Sequence, residues 1–281
     1  MSERVFLKLG GSLITDKTRE QTPRLDTICR LAQEVRQAMN ARPGLQLLIG
    51  HGSGSYGHFV GRRYRVRDGL VNDASWRGYA ETGTIAARLN RLVADALLKA
   101  GLPVVIVQPS ASARCRNGKL EHLETRPIIA TLENGLVPLV YGDVALDETR
   151  GCTIISTEEI FGYLARLLRP QRIILAGKVD GVYDRDPLRD PAARPIAKIS
   201  PANYAQVKEW LGGSHGVDVT GGMLSKVEEM ISLAQQAPNL LVQLLSGQEP
   251  GHVRQALLAP DSAGGTQIQW PAQAISTPLP E

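Results

Sequence analysis

The sequence predicts an α/β fold, an open αβα sandwich whose central sheet is mostly parallel. Short apolar runs alternate with longer segments of helical periodicity along nearly the whole 281-residue chain. Such runs are typical of strands buried on both faces, and the helices between them supply the crossovers that parallel strands require. A polar stretch, Arg114 to Leu123, has Asn117-Gly118 at its centre and predicts a β-hairpin flap on the edge of the sheet.

The apolar runs that predict strands are bounded by glycine, proline or polar residues. In chain order they are Val5–Leu7, Leu45–Ile49, Pro103–Val107, Val137–Tyr141, Arg172–Ala176 and Leu240–Leu245. Segments with apolar residues three or four apart predict helices, which are Leu25–Met39, Trp76–Leu98, Pro127–Glu133, Ile160–Leu168, Gly222–Gln236 and Pro250–Leu258.

Composition excludes several classes of protein. The chain is 43% hydrophobic and 21% charged, with a formal net charge of +4, and no dense Lys/Arg run interleaved with aromatics indicates nucleic-acid binding. The scattered Cys29, Cys115 and Cys152 predict neither a disulfide framework nor a zinc site. The first ten residues do not resemble a signal peptide, and no run reaches the ~20 apolar residues of a membrane span, so we expect a cytoplasmic protein.

Two of the predicted strands end in glycine-rich segments. The first is Lys8-Leu9-Gly10-Gly11-Ser12, and the second runs from Gly50 to His58. Glycine at the carboxyl end of a parallel strand lets backbone N–H groups approach phosphate oxygens closely. Two such segments favour two phosphate sites, although each alone is equally compatible with a tight strand-to-helix turn.

The second segment also contains G-x-G-x-x-G, at Gly52, Gly54 and Gly57, so an NAD-binding dehydrogenase is the competing interpretation. That fingerprint normally follows the first strand of its unit and requires an acidic residue at the end of the next strand. The candidates, Asp68 and Asp73, lie in a polar stretch instead. The P-loop signature G-x-x-x-x-G-K-[ST] is absent, which excludes a P-loop kinase.

Several basic side chains lie close to these segments. Lys8 interrupts an apolar strand, where a charge needs a specific reason. Lys17 follows the first glycine pair and Lys226 lies in a predicted helix, and converging lysines would hold together the negative charges of phosphoryl transfer. His58 ends the second segment and is able to donate a hydrogen bond to a phosphate. An arbitrary Lys is more often a solvated surface charge, and a lone His is more often structural or exposed, than part of a phosphate site.

These residues and the later motifs together resemble the amino acid kinase superfamily. Thr15-Asp16-Lys17 follows the first glycine pair, and the later motifs stand in the expected order: Gly142-Asp143-Val144, Gly177 to Asp184, Asp218 to Lys226 and Gly264 to Ile268. The resemblance implies one domain over residues 1–270, with an acceptor lobe at about 1–150 and an ATP lobe at about 151–270. The Pro- and Ser-rich segment 271–281 predicts a disordered tail.

The second glycine segment, with its final His58, is similar to that of one branch, the isopentenyl phosphate kinases and the related fosfomycin kinase. This resemblance implies ATP and Mg²⁺ as phosphoryl donor, isopentenyl phosphate as an acceptor converted to isopentenyl diphosphate for isoprenoid synthesis, and a homodimer. Three alternatives stay open. One is a fosfomycin-like or other phosphate or phosphonate acceptor, the second is a non-catalytic nucleotide-binding regulator on the same fold, and the third is the NAD-binding dehydrogenase.

The resemblance also implies roles for individual residues. Lys8, Lys17, Lys226 and His58 are the implied catalytic residues, and Lys17 would stabilise charge in the transition state. The residues implied to bind ATP are Lys8, Gly10, Gly11, Ser12, Gly54, Asp180, Tyr183, Gly221 and Lys226. Those implied to hold the acceptor phosphate are Ser53, His58 and Gly142. Relatives carry an aspartate where this chain has Glu158, so we assign that residue no role, and we predict no metal ligand.

The acceptor's chemistry fits such a site. A phosphate monoester is already anionic at neutral pH, since its second pKa is about 6, so transfer to it needs no strong general base. An isoprenoid tail requires an apolar pocket, and the predicted helix Trp76–Leu98 is the natural wall, with Trp76, Tyr79 and Ile85 as candidates. Ordinary core packing explains each of these three equally well.

Overall fold

The computed structural model describes residues 3–185, 187, 190–213, 223–237 and 239–271. The strands are β1 (Arg4–Leu9), β2 (Gln46–His51), β3 (Val104–Ile106), β4 (Arg114–Arg116), β5 (Lys119–His122), β6 (Val137–Tyr141), β7 (Asp143–Asp147), β8 (Gly151–Ile155), β9 (Arg172–Gly177), β10 (Val182–Tyr183), β11 (Pro195–Ile196), β12 (Lys198–Ile199), β13 (Leu241–Ser246) and β14 (Thr266–Gln269). The helices are α1 (Gly11–Ile14), α2 (Leu25–Ala41), α3 (Gly54–Arg63), α4 (Ser75–Lys99), α5 (Arg126–Glu133), α6 (Thr157–Leu168), α7 (Tyr204–Gly213), α8 (Met223–Gln236) and α9 (His252–Leu258).

The main sheet has eight strands in the order β12-β14-β13-β9-β1-β2-β6-β3. All neighbouring pairs are parallel except β13 and β14. Strand β1 lies between β2 and β9, so the chain builds the sheet outward from β1 in two directions. The carboxyl ends of β1, β2 and β9 therefore meet at a topological switch point, where ligands bind in open α/β sheets.

Two apolar cores cover the two faces of this sheet, which confirms the predicted αβα sandwich. Val5, Leu7 and Leu9 of β1 face the core that α2, α4 and α9 complete. Phe6 faces the opposite core, where its ring lies 5.2 Å from that of Phe161 on α6. Because side chains alternate along a strand, Lys8 shares the face of Phe6 and points toward α6.

The predicted hairpin is present, with β4 and β5 joined by a tight turn. Asn117 and Gly118 have φ values of 49° and 77°, the left-handed conformations that a type I′ turn requires. The hairpin does not lie on the edge of the main sheet, however. It belongs to a second sheet of order β5-β4-β7-β8, in which Asp147 accepts hydrogen bonds from the N–H groups of Asn117 (3.1 Å) and Gly118 (2.6 Å).

Several elements differ from the sequence-based expectations. The helices α3 and α7 and the strands β7 and β8 were not predicted, because glycine and polar residues mask their periodicity. Residues 272–281 of the predicted tail 271–281 lie outside the described residues, as does Gly222, where the predicted helix Gly222–Gln236 starts. None of the described helices combines the length and the apolar character that crossing a membrane requires.

Candidate active site

The two glycine-rich segments are in direct backbone contact where β1 and β2 end. A Cβ atom on Gly11 would lie 2.5 Å from the Gly54 nitrogen, and one on Gly52 would lie 2.9 Å from the Gly11 nitrogen. Distances under 3.0 Å are not tolerated by real side chains, so both positions need glycine. The contact joins the segments that follow two separate strands through main-chain atoms alone.

A buried hydroxyl fastens this contact. Thr15 Oγ1 donates to the carbonyl of Gly11 (2.7 Å) and accepts from the N–H of Ser55 (2.9 Å), and Thr15 is fully buried. Gly54 has φ +50°, and a Cβ there would overlap Thr15 Oγ1. The second segment is therefore a loop only as far as Ser53, and Gly54 begins the helix α3, which carries the half-buried His58.

Lys8 has an ion-pair partner that the sequence left without a role. Its Nζ is paired with Glu158 in the first turn of α6, and both residues are buried, at 8% and 5% exposure. The helix approaches β2 this closely because Gly50 has no side chain, since a Cβ there would lie 2.6 Å from Thr157 Cγ2. The Lys8 chain passes beneath the second segment, with its Cε 4.0 Å from a Cβ built on Gly52.

Helix α8 brings further charge toward this pair. Partial desolvation, together with the carboxylates of Glu158 and Glu159, raises the pKa of Glu229 to about 7, and Lys8 opposes the rise. The Glu229 side chain is exposed to solvent, so it does not belong to the core. Lys226 belongs to the first turn of α8, three residues earlier, where residues share a helix face. The Lys226 side chain lies outside the described part of the structure.

The acceptor candidates converge on the end of β2. The carbonyl of His51 accepts from Gly142 N–H (3.1 Å) and from Thr157 Oγ1 (2.6 Å), which joins β2 to β6 and to α6. Gly142 is buried there, hydrogen-bonded to the residue that precedes Gly52, and Ser53 immediately precedes α3. The predicted residues Ser53, His58 and Gly142 thus belong to elements that meet at one edge of the sheet.

Lys17 lies farther out, on an exposed turn after α1. The base of the turn is closed by the N–H of Asp16, which donates to the Thr22 carbonyl (2.9 Å). The Thr22 N–H in turn donates to Ser55 Oγ (3.1 Å), so the turn is tied to the start of α3. Lys17 therefore lies on a short turn next to the contact between the two glycine segments.

The residues predicted to lie near the nucleoside follow β9, the other neighbour of β1. Tyr183 donates from its hydroxyl to both carboxylate oxygens of Asp180 (2.8 and 2.9 Å), and this hydrogen bond raises the pKa of the Tyr183 phenol. Gly10 N–H donates to the carbonyl of Ala176 on β9 (2.8 Å). Gly221, predicted for the same subsite, lies outside the described residues.

Trp76, Tyr79 and Ile85 are the candidates for the apolar wall of an acceptor pocket, and the structure buries Ile85 while leaving the other two accessible. Ile85, a residue of α4, is 5% exposed and belongs to the main core, so it is not available to an acceptor. Tyr79 lines an open cleft of about 420 Å³ beside α4 and also packs against the small core cluster of Val66, Val144 and Cys152. Trp76 is 51% exposed, with its ring edge-on to Tyr79 at 5.9 Å.

The geometry does not support the dinucleotide interpretation. The G-x-G-x-x-G motif follows β2, the second strand of the chain, whereas the fingerprint normally follows the first strand of its unit. Asp68 lies in a single turn and accepts from Arg65 Nε (2.8 Å), and Asp73 lies in the turn before α4. Neither acid is at a strand end, where a ribose would meet it.

Comparison with known proteins gives one consistent family. The model of the Amino acid kinase family matches residues 3–243. The isopentenyl phosphate kinase of Methanothermobacter thermautotrophicus is 38% identical over 272 residues, which are 94% of this chain and 98% of that protein. A solved isopentenyl phosphate kinase superposes with a TM-score of 0.81 at 34% identity, covering 95% of this chain and 100% of its own. Carbamate kinase from Giardia lamblia, at 14% identity and TM-score 0.72 over 96% of this chain and 100% of its own, shares the fold.

We expect Gly11→Ala to weaken ATP binding by about tenfold or more and to lower the free energy of unfolding by about 1–3 kcal/mol, because the methyl group forces the two segments apart. Isothermal titration calorimetry and urea unfolding measure the two effects. Gly162→Ala in α6 is the matched control, since a Cβ there meets nothing within 4 Å. In a helix this control should raise stability by about 0.5–1 kcal/mol. Wild-type ATP affinity in Gly11→Ala would show that the contact does not shape the site.

Proposed function

The chain belongs to the amino acid kinase family and, within it, to the isopentenyl phosphate kinases, and we propose that it transfers the γ-phosphoryl group of ATP to isopentenyl phosphate. The products are isopentenyl diphosphate and ADP. The observation that carries the proposal is the contact between Gly11 and Gly54, with Lys8 buried beneath it. Two glycine segments that each offer main-chain N–H groups to a phosphate, and that meet above one lysine, suit a reaction that must bring two phosphates together.

The chemistry follows from charge. The acceptor phosphate is anionic at neutral pH, with a second pKa of about 6, so an acceptor oxygen is available without proton removal. The obstacle is repulsion between the acceptor and the γ-phosphate. Main-chain N–H groups, lysines and a histidine, fixed before the substrates arrive, offset that repulsion where charge develops.

We assign the two substrates to opposite sides of the glycine contact. ATP would lie along Lys8, Gly10, Gly11, Ser12, Gly54, Asp180, Tyr183, Gly221 and Lys226. The acceptor phosphate would lie against Ser53, His58 and Gly142. Lys17, on the exposed turn next to the contact, would stabilise the transferring phosphoryl group. In this scheme Glu158 neutralises Lys8 when the site is empty and keeps its amine near the position of the phosphates.

Mg²⁺ belongs to the proposal as the ion that accompanies ATP. Within the described ranges, no three acidic, His or Cys side chains are grouped in a way that could hold a metal. Mg²⁺ keeps several waters and is usually bound through one or two carboxylates and the substrate's own phosphates. The ion would help neutralise the donor phosphates, while the chain's own lysines, histidine and main-chain N–H groups hold and orient both substrates.

The acceptor lobe and the assembly complete the proposal. We place the boundary between the acceptor and ATP lobes near residue 150, although the eight-stranded sheet spans both. The apolar tail of the acceptor would lie against α4 near Tyr79. A homodimer is proposed from the family resemblance, and exposed apolar residues such as Trp76 and Leu98 on α4 are compatible with a partner surface.

We expect kcat/KM to be higher for isopentenyl phosphate than for fosfomycin, because a five-carbon apolar tail gains from an apolar wall and a small polar epoxide does not. The measurement is an ATP-coupled assay of the purified protein, with dimethylallyl phosphate, glutamate and UMP as further acceptors. A higher value for fosfomycin would overturn the acceptor while keeping phosphoryl transfer. If none of these acceptors supports ATP turnover, the proposed function is contradicted. If NAD raises the thermal stability of the protein and ATP does not, its assignment as a kinase is contradicted.

We expect Lys17→Met to lower kcat by about 10²-fold or more, with little change in KM for either substrate. An interaction formed chiefly in the transition state affects rate more than ground-state binding. Steady-state kinetics with each substrate varied in turn gives both constants. Lys99→Met, at the exposed end of α4, is the control and should leave kcat unchanged. A near-normal kcat in Lys17→Met would remove this residue from the mechanism.

We expect His58→Ala to reduce turnover of isopentenyl phosphate severely while ATP affinity stays close to that of the wild type. The reason is that His58 would donate to a phosphate already present on the acceptor, and the anionic partner favours its protonated form. His58→Asn should retain more activity than the alanine variant, because the amide still donates. His122→Ala, on the exposed strand β5, is the matched control. Full activity in His58→Ala would make this histidine structural.

A further inference from the structure

A second histidine, His51, lies at the end of β2 and is fully buried, unlike His58. Its Nε2 lies 3.0 Å from Nδ2 of Asn90, a residue of α4 that is 2% exposed. Its Nδ1 lies 3.2 Å from the carbonyl oxygen of Gly52. The ring stacks on Tyr141 of β6, with 5.6 Å between centroids and 9° between planes, so it has little freedom to turn.

These contacts allow one arrangement of protons on the neutral ring. A carbonyl oxygen only accepts, so Nδ1 must carry the hydrogen that reaches Gly52. Nε2 is then the acceptor and takes a hydrogen from the Asn90 amide. Burial lowers the pKa of His51 to about 4, so the ring is neutral near pH 7.

The hydrogen bond to Gly52 decides how the next peptide is oriented. A peptide unit is planar and trans, so its C=O and the following N–H point in opposite directions. With the Gly52 carbonyl held toward the buried ring, the Ser53 N–H points to the side opposite the ring. Glycine restrains its own backbone less than any other residue, so an outside hydrogen bond has to set this orientation.

We propose that His51 and Asn90 are positioning residues, which hold the Gly52–Ser53 peptide so that the Ser53 N–H is directed at the acceptor phosphate. The inference rests on the proposed function, in that the acceptor phosphate is the group this N–H meets. Neither side chain touches the substrate. Asn90 belongs to the helix that also carries Tyr79, so the same element supports both the phosphate and the tail of the acceptor.

Asn90→Asp places a carboxylate beside Nε2, which accepts from Nε2–H, so that a neutral ring has no hydrogen left on Nδ1 for Gly52. Long-range ¹H–¹⁵N spectra of the histidines show directly whether the ring of this variant is neutral or carries both hydrogens. We expect KM for isopentenyl phosphate to rise about tenfold or more, the loss for one N–H to a charged partner, while ATP affinity changes less than about twofold. His51→Phe keeps a ring that can stack on Tyr141 and removes the Nδ1 hydrogen itself, so it should give the same effects on acceptor KM and ATP affinity. Asn134→Asp, at the exposed end of α5, is the control and should leave both constants unchanged.

Long-range ¹H–¹⁵N correlation spectra of the histidines test the geometry without relying on turnover. The wild type should show His51 protonated at Nδ1 and unprotonated at Nε2, and Asn90→Asp should reverse or abolish this pattern. The Ser53 amide resonance should shift when isopentenyl phosphate is added to the wild type, and shift much less in Asn90→Asp. An Nε2–H tautomer in the wild type would overturn the proposal, as would an unchanged acceptor KM in both His51→Phe and Asn90→Asp.

Failure of the proposed function can be distinguished from failure of the positioning role. If the wild type does not phosphorylate isopentenyl phosphate, the same spectra are recorded with inorganic phosphate as the probe. A Ser53 shift in the wild type that is lost in Asn90→Asp then supports the positioning role for a phosphate ligand. Equal shifts in the two proteins contradict it. A purely structural role would instead lower the melting temperature and weaken ATP and acceptor together.

Discussion

The contact between the backbones of Gly11 and Gly54 is the constraint on which the rest of the site depends. Parallel pairing of β1 and β2 brings their carboxyl ends side by side, and glycine at both positions removes the side chains that would separate them. Thr15 then locks the two segments with a donated and an accepted hydrogen bond. This contact fixes the positions of helix α3 and of the turn that contains Lys17, because hydrogen bonds of Ser55 join α3 to Thr15 and to Thr22.

The buried pair of Lys8 and Glu158 has a different character from an ordinary stabilising ion pair. Removing two charges from water costs about as much as their attraction returns, so such a pair seldom adds stability. In the proposed reaction, the pair keeps an ammonium group in place beneath the main-chain segments assigned to the phosphates. Gly50 makes this possible, because only glycine lets α6 approach β2 closely enough for its first turn to reach Lys8.

The site works through arrangement more than through acid–base chemistry. The acceptor is already charged, so the protein's task is to hold anions at short distance with groups that do not reorganise during transfer. Main-chain N–H groups serve this purpose only if their peptides are fixed. The stacked and hydrogen-bonded ring of His51 supplies such a restraint on the second segment, and Thr15 supplies another at its junction with the first.

Much of the fold could be predicted from local pattern. The alternation of apolar strands and amphipathic helices predicted the αβα sandwich, and Asn117-Gly118 predicted a type I′ hairpin, because both depend on neighbours in the sequence. The second sheet could not be predicted, since β4 pairs with β7 across a long stretch of chain. Helix α3 escaped prediction because glycine lowers helix propensity, and the hydrogen bond from Ser55 to Thr15 that anchors its start is non-local.

For the site, the sequence by itself determined which chemical groups are present: two glycine segments, a lysine inside an apolar strand, and a histidine after the second segment. Only the tertiary structure decided how they meet. It identified Glu158 as the partner of Lys8, placed Ile85 in the core instead of on a pocket wall, and placed His51 behind the second glycine segment. The physical reason is that motifs record residue types and spacing along the chain. Burial and hydrogen-bond direction depend on strand order and on helices that arrive from distant parts of the sequence.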